Sequence, residues 1–266
     1  MRSLLALALM TAPALADAPR DSACIALAAG EARVIPAAFG DPLAQDSVRI
    51  RFLGHASFAL ETPGGKSAVT DYTGYLGNPD VVPDVVTMNI AHDTHYTDTP
   101  DPRIPLVLRG WGDLGQPARI DEEIGDLRVR NVTSDLRGPF GEGGRKDGNS
   151  IFIFEAAGLC IGHLGHLHQV LSDAQHAAIG RLDVVMVPVD GGFTMDPDSM
   201  AAVVNRFRAR LVLPMHWFSA DGLVSFIKRM QPSFEVEIAE RSEVVVSLDS
   251  LPRRPTILVL EPALIP

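Results

Sequence analysis

The chain has 266 residues and eight histidines. Seven of these fall into four groups: His55; His92 and His95; His163, His166 and His168; and His216. Neutral imidazole is the commonest protein ligand for zinc-like ions. Each group follows a short apolar run. Val85-Val86-Thr87-Met88 leads towards His92 and His95, Leu159-Cys160-Ile161-Gly162 leads into His163, and Leu211-Val212-Leu213-Pro214-Met215 leads into His216. A strand that stops and at once offers imidazoles presents them in a loop, where sites are usually built. Where such strands are neighbours, their ends share one edge, and imidazoles from distant parts of the chain can meet about 2.0–2.1 Å from one zinc ion. The chemistry that follows is that of a metal-activated water. A lone histidine is ordinarily a hydrogen-bonded structural residue, as expected for His176 inside a helical stretch. Four groups at equivalent places form a pattern.

Other chemistries find less support. No Gly-x-Ser-x-Gly elbow marks a serine hydrolase. The Gly-rich stretch Gly138–Gly148 lacks the Walker pattern; its Arg145 and Lys146 either attract an anionic substrate or form a solvated loop. A net charge of −10 argues against nucleic acid as a partner and leaves a small molecule as the expected substrate. Trp111 and Trp217 either wall a pocket or pack.

The elements that must position these residues are mostly strands. Val48–Leu53 alternates apolar and basic residues, and Ser57–Glu61 and Ser67–Thr70 follow around the Pro63-Gly64-Gly65 turn. Next come the run from Asp84 and a strand over Pro105–Leu108. Hairpins join Ala118–Ile124 to Leu127–Val132, and Ser150–Glu155 to Leu159–Gly162. Helices are expected only late: from the capping-box-like Ser172-Asp173-Ala174-Gln175 to Leu182, over Asp196–Ala209, and over Ala220–Met230. Between and after them lie strands at Asp183–Val189, Leu211–Leu213 (cut by Pro214), Phe234–Ile238, Glu243–Leu248 and Thr256–Leu260. Many strands before a late βαβ alternation imply sheets covered by helices, in one domain.

Laid out in this way, the chain resembles the metallo-β-lactamase superfamily, in particular its lactonase-like and phospholipase-D-like branches. The resemblance rests on Leu53-Gly54-His55-Ala56-Ser57-Phe58, Thr70-Asp71-Tyr72, Ala91–His95, Gly162-His163-Leu164-Gly165-His166, Val187-Pro188-Val189-Asp190-Gly191-Gly192 and Leu213-Pro214-Met215-His216, in the family's order. It implies an α+β fold, a four-layer αββα sandwich with metal at one edge between the sheets. The family's His-x-His-x-Asp-His turn is incomplete here, with Ile90 and Thr94 in place of a histidine and the aspartate. His166 stands where the family has a metal-bridging aspartate. The intermediate histidine has no counterpart near Val132–Gly138, where Asp135 is the best oxygen donor.

The resemblance therefore implies one zinc ion in preference to two, held by His92, His95, His166 and His216 with Asp135. Replacing a bridging carboxylate by neutral imidazole removes charge that would help hold a second dication. Asp71 is expected to support the metal turn. His55 is either a ligand or a supporting residue, and His163 supports, because His163 and His166 face opposite ways in an extended segment. Asp190 and Asp93 are the candidate acid–base carboxylates, Asp190 with a supporting role as its alternative. The implied activity is hydrolysis of an ester, lactone, amide or phosphodiester. The alternative is a non-catalytic metal- or ligand-binding protein that keeps the fold.

Residues 1–16 read as a signal peptide: Met1-Arg2-Ser3, the apolar run Leu4–Met10, and Ala14-Leu15-Ala16 before a cleavage site after Ala16. No other run approaches the ~20 apolar residues of a membrane span. Residues 17–46 are expected to be a leader, with a short helix over Cys24–Ala32, and 47–266 the domain. The mature protein is expected in the periplasm or secreted. There Cys24 and Cys160 either pair or remain two buried thiols.

Overall fold

A computed structural model describes residues 22–25, 42–113, 116–138, 144–231 and 233–266. The expected signal peptide, most of the leader and the tip of the Gly-rich loop lie outside these residues. So does the expected Cys24–Ala32 helix, apart from its first two residues.

Two sheets face each other. The first has six strands in the order β13-β1-β2-β3-β4-β5: β1 (Ser47–Gly54), β2 (Ser57–Glu61), β3 (Ser67–Val69), β4 (Val85–Met88), β5 (Leu106–Arg109) and β13 (Glu243–Ser247). The second has eight in the order β12-β14-β11-β10-β9-β8-β7-β6: β6 (Asp121–Ile124), β7 (Leu127–Ser134), β8 (Asn149–Ala156), β9 (Leu159–His163), β10 (Val184–Pro188), β11 (Leu211–Met215), β12 (Glu235–Ile238) and β14 (Thr256–Val259).

Alternation explains the layers. In β1, Val48, Ile50 and Phe52 point into the space between the sheets, while Leu53 joins a cluster on the outer face. Arg49 and Arg51 are paired with Glu61 and Glu243, each at 2.5 Å. Strand β8 is buried on both faces: Phe152 and Phe154 enter the inner core, and Ile151 and Ile153 the outer one. Each large apolar side chain so buried contributes about 1.5–3 kcal/mol.

Helices α1 (Asp173–Ile179), α2 (Pro197–Phe207) and α3 (Ala220–Met230) supply Ile179, Met200, Val203, Val204, Phe226 and Met230 to the outer face of the second sheet. The expected capping box is present, Ser172 accepting from the Gln175 amide. The α+β sandwich is the expected one. Over the first sheet's outer face, the covering layer among the described residues is loop: Tyr72, Leu76, Ile104 and Ile265 pack there.

One expected break is absent. Strand β11 runs through Pro214, which pairs opposite Val187. The ladder to β14 ends at Val212, so Pro214 lies beyond it, where a residue lacking an N–H is tolerated. Strands β9, β10 and β11 are mutually parallel. Their carboxyl ends therefore share one edge, and His163, Asp190 and His216 arrive there together.

Candidate metal centre

The edge gathers side chains from the ends of β1, β3, β4, β9, β10 and β11. An imidazole nitrogen from each of His55, His95 and His216 lies within 4.8 Å of the other two. His95 and His216 are buried and nearly parallel, with ring centroids 5.1 Å apart. His55 lies tilted against His216, with ring centroids 4.3 Å apart, and 5.0 Å from His95.

Carboxylates orient the two buried rings. Asp71 Oδ2 accepts from His95 Nδ1 at 2.7 Å, and Asp190 Oδ2 accepts from His216 Nδ1 at 2.9 Å. Holding the proton on Nδ1 leaves each Nε2 with a bare lone pair. Those two Nε2 atoms are 3.2 Å apart. Two lone pairs at that distance repel, and a shared cation reverses the sign. Ligands about 2.05 Å from a tetrahedral zinc are about 3.3 Å apart, so the spacing fits. The buried Nε2 of His55 has no hydrogen-bond partner, and a cation held by His95 and His216 would give it one. Three imidazoles and an open fourth position form a recurrent catalytic zinc arrangement.

The backbone is bent to make this cluster. His55, Asp71 and His216 all have positive φ, at 52°, 44° and 57°, a region uncommon for residues other than glycine. The His216 amide donates to the His55 carbonyl at 2.6 Å, tying the first sheet to the second.

Electrostatics keep four of the imidazoles neutral. Burial, followed by the neighbouring histidines, lowers His55 to about 4 and His95 to about 3. Burial and then His95 and His216 lower His166 to about 2. Burial and then Arg137 lower His168 to about 4. Burial pushes Asp71 up to about 6, against the pull of His163 and the Asn89 amide. For Asp190, burial acts upward, but hydrogen bonds from His216, Thr194 and backbone amides outweigh it and hold the carboxyl well below the usual range.

Several expected roles change. Asp190 accepts five hydrogen bonds: Oδ1 from the amides of Gly192, Phe193 and Thr194, and Oδ2 from Thr194 Oγ1 and His216 Nδ1. So bound, it is a poor proton acceptor, and its contact with the cluster is the bond that orients His216. Asp93 points to solvent, its side chain 90% exposed beside His92. His92 stands at the rim, its side chain 59% exposed and its Nδ1 2.9 Å from Thr94 Oγ1. Its ring centroid is 6.0 Å from that of His95 and 6.4 Å from that of His166.

Asp135 is not brought to the histidines. Its Oδ1 accepts from the Asp147 amide at 2.8 Å, because the loop after β7 folds on itself. His163 is buried: its Nδ1 accepts from the Gly165 amide and its Nε2 donates to the Ala56 carbonyl at 2.8 Å, beside His55. His166 stands edge-on to His95 and His216, with centroids at 5.0 and 4.9 Å. Its Nδ1 is 2.6 Å from His168 Nε2.

Two groups had no reading from sequence. Asn89 binds Asp71 Oδ1 through its amide and His163 Nδ1 through its side chain; its place at the end of β4 is the signal. Phe193 and Phe218, 67% and 63% exposed, meet edge to face at 5.4 Å, and Phe218 also touches His55 and His216. They give the rim an apolar wall. Trp217 packs inward on Phe52, and Trp111 on Tyr96.

Known proteins resemble this chain in sequence and fold. A family model, the beta-lactamase superfamily domain, matches residues 49–216. A UPF0173 metal-dependent hydrolase of Thermococcus kodakarensis is 27% identical over 225 residues, covering 75% of this chain and 96% of its own. A UPF0173 metal-dependent hydrolase of Methanoculleus marisnigri is 28% identical over 205 residues, 71% of this chain and 89% of its own. Among solved structures, an inferred Zn-dependent hydrolase of the metallo-beta-lactamase superfamily from Thermotoga maritima superposes with a TM-score of 0.57 at 28% identity, covering 80% of this chain and 98% of its own. Igni18, a metallo hydrolase of Ignicoccus hospitalis, shares the fold with a TM-score of 0.53 at 16% identity, covering 82% of this chain and 96% of its own. With the family model spanning more than half of the sequence and the sandwich edge built as described, the chain belongs to the metallo-β-lactamase superfamily.

Proposed function

We propose that this metal-dependent hydrolase holds one zinc ion through His55, His95 and His216 and acts outside the cytoplasm on a small ester, lactone, amide or phosphodiester. The observation that carries the reading is the pair of facing Nε2 atoms, 3.2 Å apart, with the orphaned His55 Nε2 beside them. The relatives described as metal-dependent hydrolases support the reaction class. When bound, a zinc ion supplies Lewis-acid polarisation and an acidified water.

The chain's own residues do the rest. Asp71 and Asp190 fix the tautomers of His95 and His216. Phe193 and Phe218 exclude water from one side of the rim and favour a substrate with an apolar part. Asp93, exposed at the rim with Oδ1 3.3 Å from His92 Nδ1, is the carboxylate with room to exchange a proton. The Cys24–Cys160 disulfide supports an oxidising compartment, as does the leader-like start of the sequence.

The test is metal analysis and turnover together. Apo-protein titrated with zinc takes up about one equivalent, and His95→Ala or His216→Ala weakens uptake by at least tenfold. A panel of esters, lactones, amides and phosphodiesters then shows zinc-dependent turnover that these variants lose. Absence of zinc uptake by the wild-type protein, or turnover that survives both substitutions, removes the proposal. Fractionation of cells expressing the full chain, with intact-mass analysis, tests export; a cytoplasmic protein retaining residues 1–16 refutes it.

A further inference from the structure

One hydrogen-bond chain at the centre has a fixed direction. The backbone N–H of Arg137 donates to His168 Nδ1 at 2.9 Å. A backbone amide can only donate, so His168 Nδ1 carries a lone pair and the proton of the neutral ring sits on Nε2. That proton faces His166 Nδ1 at 2.6 Å. His166 Nδ1 is therefore an acceptor too, and the proton of the neutral His166 ring sits on Nε2. The tautomer is opposite to that of His95 and His216, whose protons are held on Nδ1 by carboxylates.

Arg137 is anchored in turn. Its guanidinium donates to the carbonyls of Gly192 and Thr194, in the loop that Asp190 pins through three amides. The relay thus starts from the same carboxylate that orients His216. Because Asn149 Oδ1 accepts from the His166 amide at 2.8 Å, the backbone of His166 is fixed as well. The remaining ring nitrogen, Nε2, has no hydrogen-bond partner among the described residues, and the ring stands edge-on to both buried histidines.

We infer that His166 is not a metal ligand but a neutral hydrogen-bond donor, presenting Nε2–H to an oxygen of the substrate beside the cation, with His168 and Arg137 as the positioning residues that fix its tautomer. A nitrogen carrying a proton has no lone pair for a cation. It can instead steady a carbonyl or phosphoryl oxygen on which negative charge develops. The donor role rests on the hydrolase reading above; the tautomer does not.

The experiment reads tautomers and binding separately. Protein labelled with 15N-histidine is followed by long-range 1H–15N correlation, metal-free and zinc-loaded. Expected are Nε2–H tautomers for His166 and His168, kept on zinc loading, with Nδ1–H for His95 and His216. His168→Ala frees His166 to take the other tautomer. His166→Ala and His166→Gln keep zinc affinity within about threefold of wild type, as a residue outside the coordination sphere should. Acetohydroxamate binds zinc-loaded His166→Ala about tenfold more weakly, the worth of one hydrogen bond. His166→Gln recovers part of that loss, since its amide can donate from the same place. A metal-shifted His166 Nε2 resonance, loss of zinc from His166→Ala, or acetohydroxamate affinity unchanged in His166→Ala overturns the inference. If the wild-type protein takes up no zinc, the metal reading fails by itself, and the tautomer pattern of the metal-free protein alone upholds or overturns the relay.

Discussion

At His95 and His216 the same residue type is prepared in the same way by two different carboxylates. Asp71 is wholly buried and pushed up to about 6, while Asp190, rich in donors, is held low. This asymmetry and the depressed imidazoles set the acid behaviour of the metal-free protein. In the unfolded chain a histidine titrates near 6.5; folded, burial lowers His55, His95, His166 and His168 to about 4 or below. Between those values the unfolded state binds more protons, so stability is present above pH 6.5 and is lost as the pH falls below it. Asp71 works in the opposite sense below about 6, as does the raised Glu61, but six lowered imidazoles, His163 and His176 among them, oppose these two carboxyls. The urea midpoint of EDTA-treated protein should therefore fall between pH 7.5 and 5.5; a midpoint that rises over this range contradicts the depressed values. The strand-end placing of His95 and His216 was legible from residue order alone. The company of His55, the rim position of His92 and the role of His168 were not. They depend on ring rotations and on contacts between sheets that local patterns do not encode.

At the scale of elements, alternation and caps carried most of the information. Strand β2 and helix α3 begin and end where the apolar pattern puts them, and Ser172 caps α1 as its spacing requires. Pro214 misled because proline forbids a ladder bond only on the side its nitrogen faces, and sequence does not say which neighbour is missing. Asp135 misled because position in a family pattern says nothing of where a loop folds back. The turn between β9 and α1 bears directly on the site. Gly165 has φ +60°, and a Cβ there would lie 2.5 Å from Asn149 Oδ1 and closer still to Asn89 Nδ2. Both asparagines are buried and already bonded, to Ser134 and Ser150. Gly165→Ala should cost roughly 2–4 kcal/mol, combining left-handed strain with overpacking. Urea unfolding of the metal-free variant measures it, and a loss below ~1 kcal/mol would mean that the asparagines move aside freely.

For the whole molecule, Cys24 and Cys160 join positions 136 residues apart, with Cα atoms 5.9 Å apart. The bridge fastens the segment around Cys24 to β9, on the outer face of the second sheet, away from the histidines. Removing it with Cys24→Ser and Cys160→Ser together should lower stability by about 2–5 kcal/mol while leaving zinc affinity unchanged. Equilibrium unfolding and zinc titration of the double variant check both halves, and a parallel fall in zinc affinity would show that the bridge reaches the site. Finally, each group at the sandwich edge rides on its own connection: His55 between β1 and β2, His95 between β4 and β5, His166 between β9 and α1, and His216 between β11 and α3. No two of these connections are consecutive in the chain, and each leaves the end of a strand that is paired within its own sheet. Descendants of this chain can therefore change what they digest one loop at a time, keeping the scaffold as an inherited constant and using the rim as the variable part.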